Sequence, residues 1–397
     1  MELESYSPLD EAIKRSSNLR PEAKVVAVDL PHALGHYSSR EIKSLVDFPR
    51  FDRSAMDGYA LRSQETISSS RTNPSTFTIV GDILPSTEGK FSIGKGEAAR
   101  ITTGGKIPEG ADSVAMLEDA SVSGNLLSVY APTRKYQNVS LRGEDLKKGF
   151  VIIRKGERIV PPHSAALIET GVEEVEILNL RVGILSTGDE LISGNVINTT
   201  QPLLNGFFNW IGLEAVMHGA VKDDTEEIRR KIGEMDEDVI IVTGGSGPGE
   251  FDLLHRLLER EGEIIFHGLR IRPGRTTGLA ILGGRPVFIL SGLPVAALIS
   301  AENVILELLS RWYGISLNKR VIRKGRLKRS IVNTLGFRSF VRVRLEGNDD
   351  EPNVTPLRTT GSGVIYSMVS ADGVVVVDEN SEGIEEGNLV DVQMLRW

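Results

Sequence analysis

Two runs constrain this chain more than any others: Val182 to Glu190 (VGILSTGDE) and Val239 to Asp252 (VIIVTGGSGPGEFD). Each is a continuous apolar stretch of the kind that forms a strand buried on both faces, and each ends abruptly in glycine and hydroxyl residues before delivering carboxylates. A strand followed by such a loop and a helix is where open α/β sheets bind ligands, beyond the carboxyl ends of the strands. Glycine lets the backbone approach an anion closely with its N–H groups inward. Asp189, Glu190 and Asp252 stand just beyond and could hold a hard divalent cation against that anion. The loops together predict a site for a phosphorylated ligand with Mg2+. Taken alone, Ser186-Thr187-Gly188-Asp189-Glu190 reads better as a tight turn with an N-cap. The second loop, with Gly244, Gly245, Ser246 and Gly247, places four glycines in six residues at a strand end and exceeds what a turn requires. Neither loop has Rossmann glycine spacing, and no Gly-Lys-Ser/Thr triplet marks a Walker loop.

A third constellation is basic. Arg270, Arg272 and Arg275 surround a Pro273-Gly274 turn, where guanidiniums could clamp phosphate or oxyanion oxygens in bidentate fashion. A solvated cluster of loop charges explains the same residues equally well. The histidines offer little: His32 and His36 lack a third ligand and read as surface or capping chemistry. The absence of cysteine excludes disulfides, thiolate metal sites and cysteine nucleophiles. No Gly-x-Ser-x-Gly elbow supports a serine triad. A net charge of −8 argues against a general nucleic-acid or anionic-membrane binder. There is no apolar run of about twenty residues and no apolar signal core at the N-terminus. A cytoplasmic address is the default expectation.

At 397 residues the chain is too long for one typical domain. Four regions separate by pattern. Residues 1–48 open with a helix begun by Ser7 and Pro8 and, together with 146–179, form a helical and extended linker domain. Short alternating runs such as Phe77–Val80 and Leu126–Tyr130 make residues 49–145 a small β-rich domain. Residues 180–316 alternate strand and helix, which predicts a mostly parallel sheet covered by helices in three layers. Asp224 with Glu227 reads as a capping box, and Pro294 opens a long helix that stops at Gly314. Phe207, Phe208 and Trp210 are assigned to helix packing. Beyond residue 320, short apolar strands at Phe340–Leu345, Val364–Tyr366, Val374–Val377 and Leu389–Met394 predict a small β-barrel over 320–397. The fold class is thus multidomain α/β plus β.

Taken together, these segments resemble the molybdopterin molybdotransferase family, which includes bacterial MoeA and the gephyrin E domain. The most specific piece is PRFDRSAMDGYA, Pro49 to Ala60. Arg100 to Val114 (RITTGGKIPEGADSV), RGED at Arg142 to Asp145, the STGDE loop, the GGSGPGEFD loop, FRSFVR and TGSG follow in family order and spacing. The resemblance covers essentially the whole chain. It implies an elongated four-part subunit with a lasso-like β-rich domain, paired as a homodimer in which Ser54 to Tyr59 would complete the partner's cleft. It also implies a reaction in which adenylylated molybdopterin and molybdate (or tungstate) give molybdenum cofactor with Mg2+-dependent release of AMP. Molybdopterin adenylyltransferase and apo-molybdoenzymes are the protein partners it suggests.

Carried over residue by residue, the resemblance assigns Asp57, Thr103 and Asp145 to functional polar positions of the β-rich part. Glu190, Asp223 and Asp252 match acidic positions of the α/β domain, with Glu190 and Asp252 as metal-holding or water-activating groups. Ser186, Thr187, Gly188, Gly244, Gly245, Ser246, Gly247, Arg272 and Arg275 would bind the pterin nucleotide and oxyanion. Arg342 and Ser362 match a C-terminal Arg and Ser that face the same cleft. The chain departs from the family in three places. Arg272 and Arg275 replace two lysines, so a compact ammonium becomes a planar fork. After Gly292-Leu293-Pro294 the family's Gly-Asn-Pro and a serine are missing. Asn198 and Thr200 stand where Asp and Asn are usual. An alternative reading is a paralogue that binds the pterin nucleotide, or a partner molybdoenzyme, without transfer chemistry.

Overall fold

The computed structural model describes residues 6–87, 91–244, 251–317, 320–347, 350–357 and 364–396. The side chains of Phe251 and Asp252 also lie outside the description. The protein is a mixed α/β multidomain chain that closes a β-barrel near its C-terminus. It divides into two compact units: residues 1–40, 155–160 and 174–397 form one, and residues 41–154 and 161–173 the other.

The first unit is built on a six-stranded sheet. Its order is Glu214–Val221, Arg181–Thr187, Val239–Thr243, Arg285–Leu290, Gly278–Leu282 and Glu263–His267. The first four strands run parallel and the remaining pairings are antiparallel. Alternation along Val239–Thr243 shows why its sequence is apolar throughout. Val239 and Ile241 enter one core with Phe207, Phe208 and Leu298, while Ile240 and Val242 enter the other with Ile228, Leu254 and Leu257. The helices Thr200–Trp210 and Pro294–Ser300 therefore cover one face, and Thr225–Glu234 and Phe251–Glu261 the other.

Several local expectations change in detail. Asp224 caps its helix by accepting from Glu227 N at 2.9 Å, but Glu227 accepts from Lys222 N, so the capping box is only half made. Ser7 bridges to Leu269 instead of capping Leu9–Ser16, whose N-cap is Pro8 with no side-chain bond. The helix from Pro294 is interrupted by a π turn over Ala301–Ile305 before it resumes and stops at Gly314, whose φ of +69° suits glycine. Trp210 is 59% exposed and does not join Phe207 and Phe208 in the core. Val364–Tyr366 is no strand: a single helical turn, Tyr366–Val369, occupies that apolar run.

The barrel closes through Arg338–Glu346, Asn353–Pro356, Ile322–Leu327, Leu389–Met394 and Gly373–Val377, the last pairing back to the first. Val341, Val343, Val354, Val375 and Val392 fill its interior. The opposite faces of two of these strands send Phe340 and Val374 into the core shared with the α/β sheet. Backbone continuity reinforces that packing, because Ile271–Arg272 pairs in parallel with Arg338 and Ser339. Asn333 braces the barrel loop that follows Ile331–Val332. Its amide donates to the carbonyls of Phe337, Asp378 and Ser381 at 2.8, 3.2 and 3.0 Å, and its oxygen accepts from Ser339.

The second unit carries a mixed six-stranded sheet ordered Ser113–Met116, Gly58–Leu61, Glu97–Ile101, Ser75–Ile83, Leu126–Val129 and Ala120–Ser123. Gly58 is required there, since a Cβ would collide with the carbonyl of Ala115.

Asn333→Ala leaves buried carbonyls without a donor, each worth about 1–3 kcal/mol. The variant should lose stability of that order in chemical denaturation, with the barrel strands the first to lose hydrogen-exchange protection. Unchanged protection of those strands would show that the brace contributes nothing.

Candidate functional site

The sheet order places Arg181–Thr187 beside both Glu214–Val221 and Val239–Thr243, so the chain's winding reverses between the last two neighbours. Both glycine loops begin at that reversal. Gly244 has φ +114°, and a Cβ on it would collide with the carbonyl of Thr187. A Cβ on Gly292, at the end of the next strand, would lie 3.3 Å from Gly244 Cα. Three strand ends thus converge with bare backbone between them.

Hydroxyls brace this junction from below. Ser186 Oγ lies 2.9 Å from Thr243 Oγ1 and accepts from Asn198 Nδ2 at 2.9 Å. Ser186 is 1% exposed, and its hydroxyl orders the strand ends. Thr187 is likewise buried. Asn198 also accepts from Gln201 N, and Gln201 Nε2 donates to the carbonyls of Ile184 and Gly219 at 2.8 and 2.9 Å. Thr200 Oγ1 donates to the Gly292 carbonyl at 2.5 Å. The two family departures, Asn198 and Thr200, are therefore working parts of the junction. Gln201 was not signalled by any motif.

Above the junction, the carboxylate of Glu190 lies over the bare face of Gly188. Asp223 accepts from Asp189 N at 3.2 Å. Burial, with Asp189 and Glu190 nearby, holds the Asp223 carboxyl above its ordinary range. Asp189, Glu190 and Asp223 thus place three like charges near the strand ends. Among the described residues, no three such groups are arranged to hold a metal ion. Gly245, Ser246, Gly247, Ser362 and the side chain of Asp252 lie outside the described residues.

The short Ser291–Leu293 connection leads from the junction into a cleft of about 550 Å3 between the α/β sheet and the barrel. The 272–275 turn, Ser291, Leu293, the 332–334 segment and Arg342 line it. Arg342 shares the outward face of its strand with Phe340, while Val341 and Val343 point into the barrel. It is 1% exposed, and among the described residues Nε and one terminal nitrogen have no hydrogen-bond partner. Burial alone pushes its pKa down. Arg275 is exposed on the rim, whereas Arg272 is engaged: it donates to Thr334 Oγ1 at 2.5 Å and stacks 4.5 Å over Phe337. Arg270 points away and donates to the Tyr6 carbonyl.

Within the second unit, Thr103 donates to Asp57 Oδ1 from its backbone N at 2.7 Å and from its hydroxyl at 2.9 Å. Those two bonds hold the Asp57 carboxyl below its ordinary range. Asp145 is exposed at the end of the RGED turn, whose Arg142 is fixed by Asp47 and Asp52. No hydrogen bond joins Asp145 to Asp57 or Thr103 among the described residues.

A three-layer α/β domain with a crevice at its winding reversal, joined to a barrel across an arginine-lined cleft, characterises a multidomain protein with a basic cleft. The comparisons with known proteins narrow this class. Residues 7–171 match the MoeA N-terminal region (domain I and II), 183–311 the probable molybdopterin binding domain, and 324–395 the MoeA C-terminal region (domain IV). A relative from Methanocaldococcus jannaschii is 36% identical, with 96% of this chain and 95% of that one covered. A molybdopterin molybdenumtransferase from Staphylococcus aureus is 30% identical over 97% of this chain and 94% of its own length. The crystal structure of the Pyrococcus horikoshii molybdopterin biosynthesis MoeA protein superposes with a TM-score of 0.83 at 30% identity, covering 99% and 100% of the two chains. The chain belongs to the MoeA family.

The raised Asp223 pKa fixes a sign. The fold favours the protonated carboxyl, so Asp223 costs stability as pH rises through its folded pKa. Without added metal, Asp223→Asn should gain thermal stability over wild type progressively as pH rises from the ordinary carboxylate range through the raised Asp223 pKa. A difference independent of pH would contradict the crowding of carboxylates.

Proposed function

We propose that this chain is a molybdopterin molybdenumtransferase. It takes adenylylated molybdopterin and molybdate or tungstate, cleaves the phosphoanhydride and releases AMP with the metal-loaded cofactor. The observation that carries this reading is Arg342. A buried guanidinium with Nε and one terminal nitrogen unpartnered among the described residues is costly unless an anion meets it, since an uncompensated charge in a protein interior loses several kcal/mol of solvation. A planar oxyanion-binding fork at the inner wall, with Arg275 on the rim, supplies the paired N–H donors that a molybdate or phosphate oxygen needs.

The side-chain-free packing of Gly244 against Thr187 and Gly292 brings the strand ends together where the pyrophosphate would sit, with the Glu190 carboxylate beside it over Gly188. Glu190, Asp223 and Asp252 are the groups that would hold Mg2+. The ion, when bound, supplies charge neutralisation on the pyrophosphate. Asp57, Thr103 and Asp145 are assigned to the same reaction by their match to the family's motifs. The reaction is expected in the cytoplasm; no helix among the described residues is long and apolar enough to cross a membrane.

A second reading, a paralogue that binds the pterin nucleotide without transfer, is favoured by one feature. The chain lacks the Gly-Asn-Pro and serine that the family carries after Pro294, and just before it Ser291 Oγ accepts from Leu293 N. Incubation with adenylylated molybdopterin, molybdate and Mg2+ separates the two by AMP release. Arg342→Gln should weaken molybdate binding by about tenfold or more, the loss expected for a charge-assisted bond of 1.5–3 kcal/mol, and slow AMP release in parallel. Wild-type turnover in that variant would reject the assignment; tight nucleotide binding without AMP release in wild type would establish the second reading.

A homodimer completes the proposal. An apolar groove of about 560 Å3 runs between Thr200–Trp210, Pro294–Ser300 and the 365–369 segment, with Trp210 and Val369 standing 59% and 78% exposed. An uncovered apolar patch of this kind suits a self-complementary contact with a second copy. Wild type should scatter light as a dimer at micromolar concentration, and Leu203→Asp, which puts a charge in the groove, should scatter as a monomer. A monomeric wild type would refute this.

A further inference from the structure

The turn at 272–275 presents two arginines to the cleft, and their surroundings differ. Arg272 is fixed by the barrel: its guanidinium stacks 4.5 Å over Phe337 and donates to Thr334 at 2.5 Å. Phe337 is itself held, packing beside Tyr6 with ring centroids 6.2 Å apart, and its carbonyl accepts from the Asn333 brace. Among the described residues Arg275 makes no comparable side-chain bond, and it is exposed at the rim. The inner side of the turn is also pinned. Thr277 Oγ1 donates to the Gly274 carbonyl at 2.6 Å and lies 2.6 Å from Ser300 Oγ, both hydroxyls being fully buried. A Cβ on Gly274, which has φ +107°, would collide with Ser300 Oγ.

We propose that Arg272 is a positioning residue that clamps the barrel's 333–337 loop onto the Pro273-Gly274 turn and so sets the width of the cleft, leaving Arg275 and Arg342 to hold the anion. The proposal rests on the anion-cleft reading above and refines it. A guanidinium suits this task where an ammonium does not. Its flat face covers the Phe337 ring while its edge donates in a fixed direction to Thr334. A lysine would keep the charge and lose both the stacking and the directed bond. The backbone pairing of Ile271 with Arg338 and of Arg272 with Ser339 fixes the base of the contact, so the side chain controls only the loop above it. Cleft width matters because the lining residues come from both walls: Arg275 and Ser291 from the α/β side, Asn333, Thr334 and Arg342 from the barrel.

Charge and position are separated by comparing Arg272→Lys with Arg272→Gln in the full chain, titrated with molybdate and with inorganic phosphate by calorimetry. A positioning role predicts that both variants weaken molybdate binding by similar amounts, roughly twofold to fivefold for an exposed cation–ring contact. Thr334→Val should give a comparable loss, and its combination with Arg272→Gln should be less than additive. Hydrogen exchange of the 333–337 amides should rise in both Arg272 variants without any anion present. If Arg272→Lys binds as wild type while Arg272→Gln loses about tenfold or more, Arg272 is an anion ligand and the clamp is wrong. Unchanged exchange of the 333–337 loop in both variants overturns it as well. The anion-cleft reading fails separately, if Arg275→Gln and Arg342→Gln leave molybdate affinity unchanged.

Discussion

At the end of three neighbouring strands, the Cα of Gly244 rests where any side chain would strike the carbonyl of Thr187, and Gly292 packs against Gly244 in turn. This side-chain-free contact is the constraint on which the candidate site depends. It lets Arg181–Thr187, Val239–Thr243 and Arg285–Leu290 terminate close together at the point where the winding of the sheet reverses. The crevice is consequently walled by backbone, and the hydroxyls of Ser186 and Thr243 are turned underneath to hold the strand ends together. Thr200 extends the same brace to the third strand by donating to the Gly292 carbonyl. The amides of Gly188 and Gly244 themselves donate to the carbonyls of Val221 and Leu290, which ties these strand ends to their neighbours.

The cleft beside this crevice follows from a second constraint, the alternation of a barrel strand. Val341 and Val343 must fill the barrel, so Phe340 and Arg342 are forced onto the opposite face. Phe340 finds the core of the α/β domain. Arg342, two residues on, is carried into the same boundary with its charge unpaired. An apolar surrounding makes that burial more costly, and the packing of Phe340, Val374 and Met368 in the same core offsets it. Packing and the proposed anion contact therefore fall on neighbouring residues of one strand.

Much of this was legible from the residues. Strands buried on both faces announce themselves by unbroken apolar runs, and Val239–Thr243 does so completely. The glycine loops marked the strand ends, and the family motifs fell in order along the chain. What remained hidden depends on contacts between distant segments. Nothing near Thr277 or Ser300 signals that they pin the 272–275 turn, because the two meet only after the sheet and helix have packed. The pairing of Arg272 with Phe337 and Thr334 spans more than sixty residues and requires the docked barrel. Val364–Tyr366 has the composition of a strand, yet it precedes and enters a helical turn, since short apolar runs carry no reliable period. The half-made capping box after Asp224 shows the same limit at close range: the spacing is right, but Glu227 finds the amide of Lys222 first.

The central claim is that an oxyanion sits against Arg342 between the α/β domain and the barrel. Crystals of the protein soaked in tungstate, with anomalous diffraction recorded at the tungsten edge, test this most directly. The account predicts a peak within hydrogen-bond distance of the Arg342 guanidinium, with Arg275 turned towards it. Tungstate bound elsewhere at full occupancy, with Arg342 still unpartnered, would contradict it.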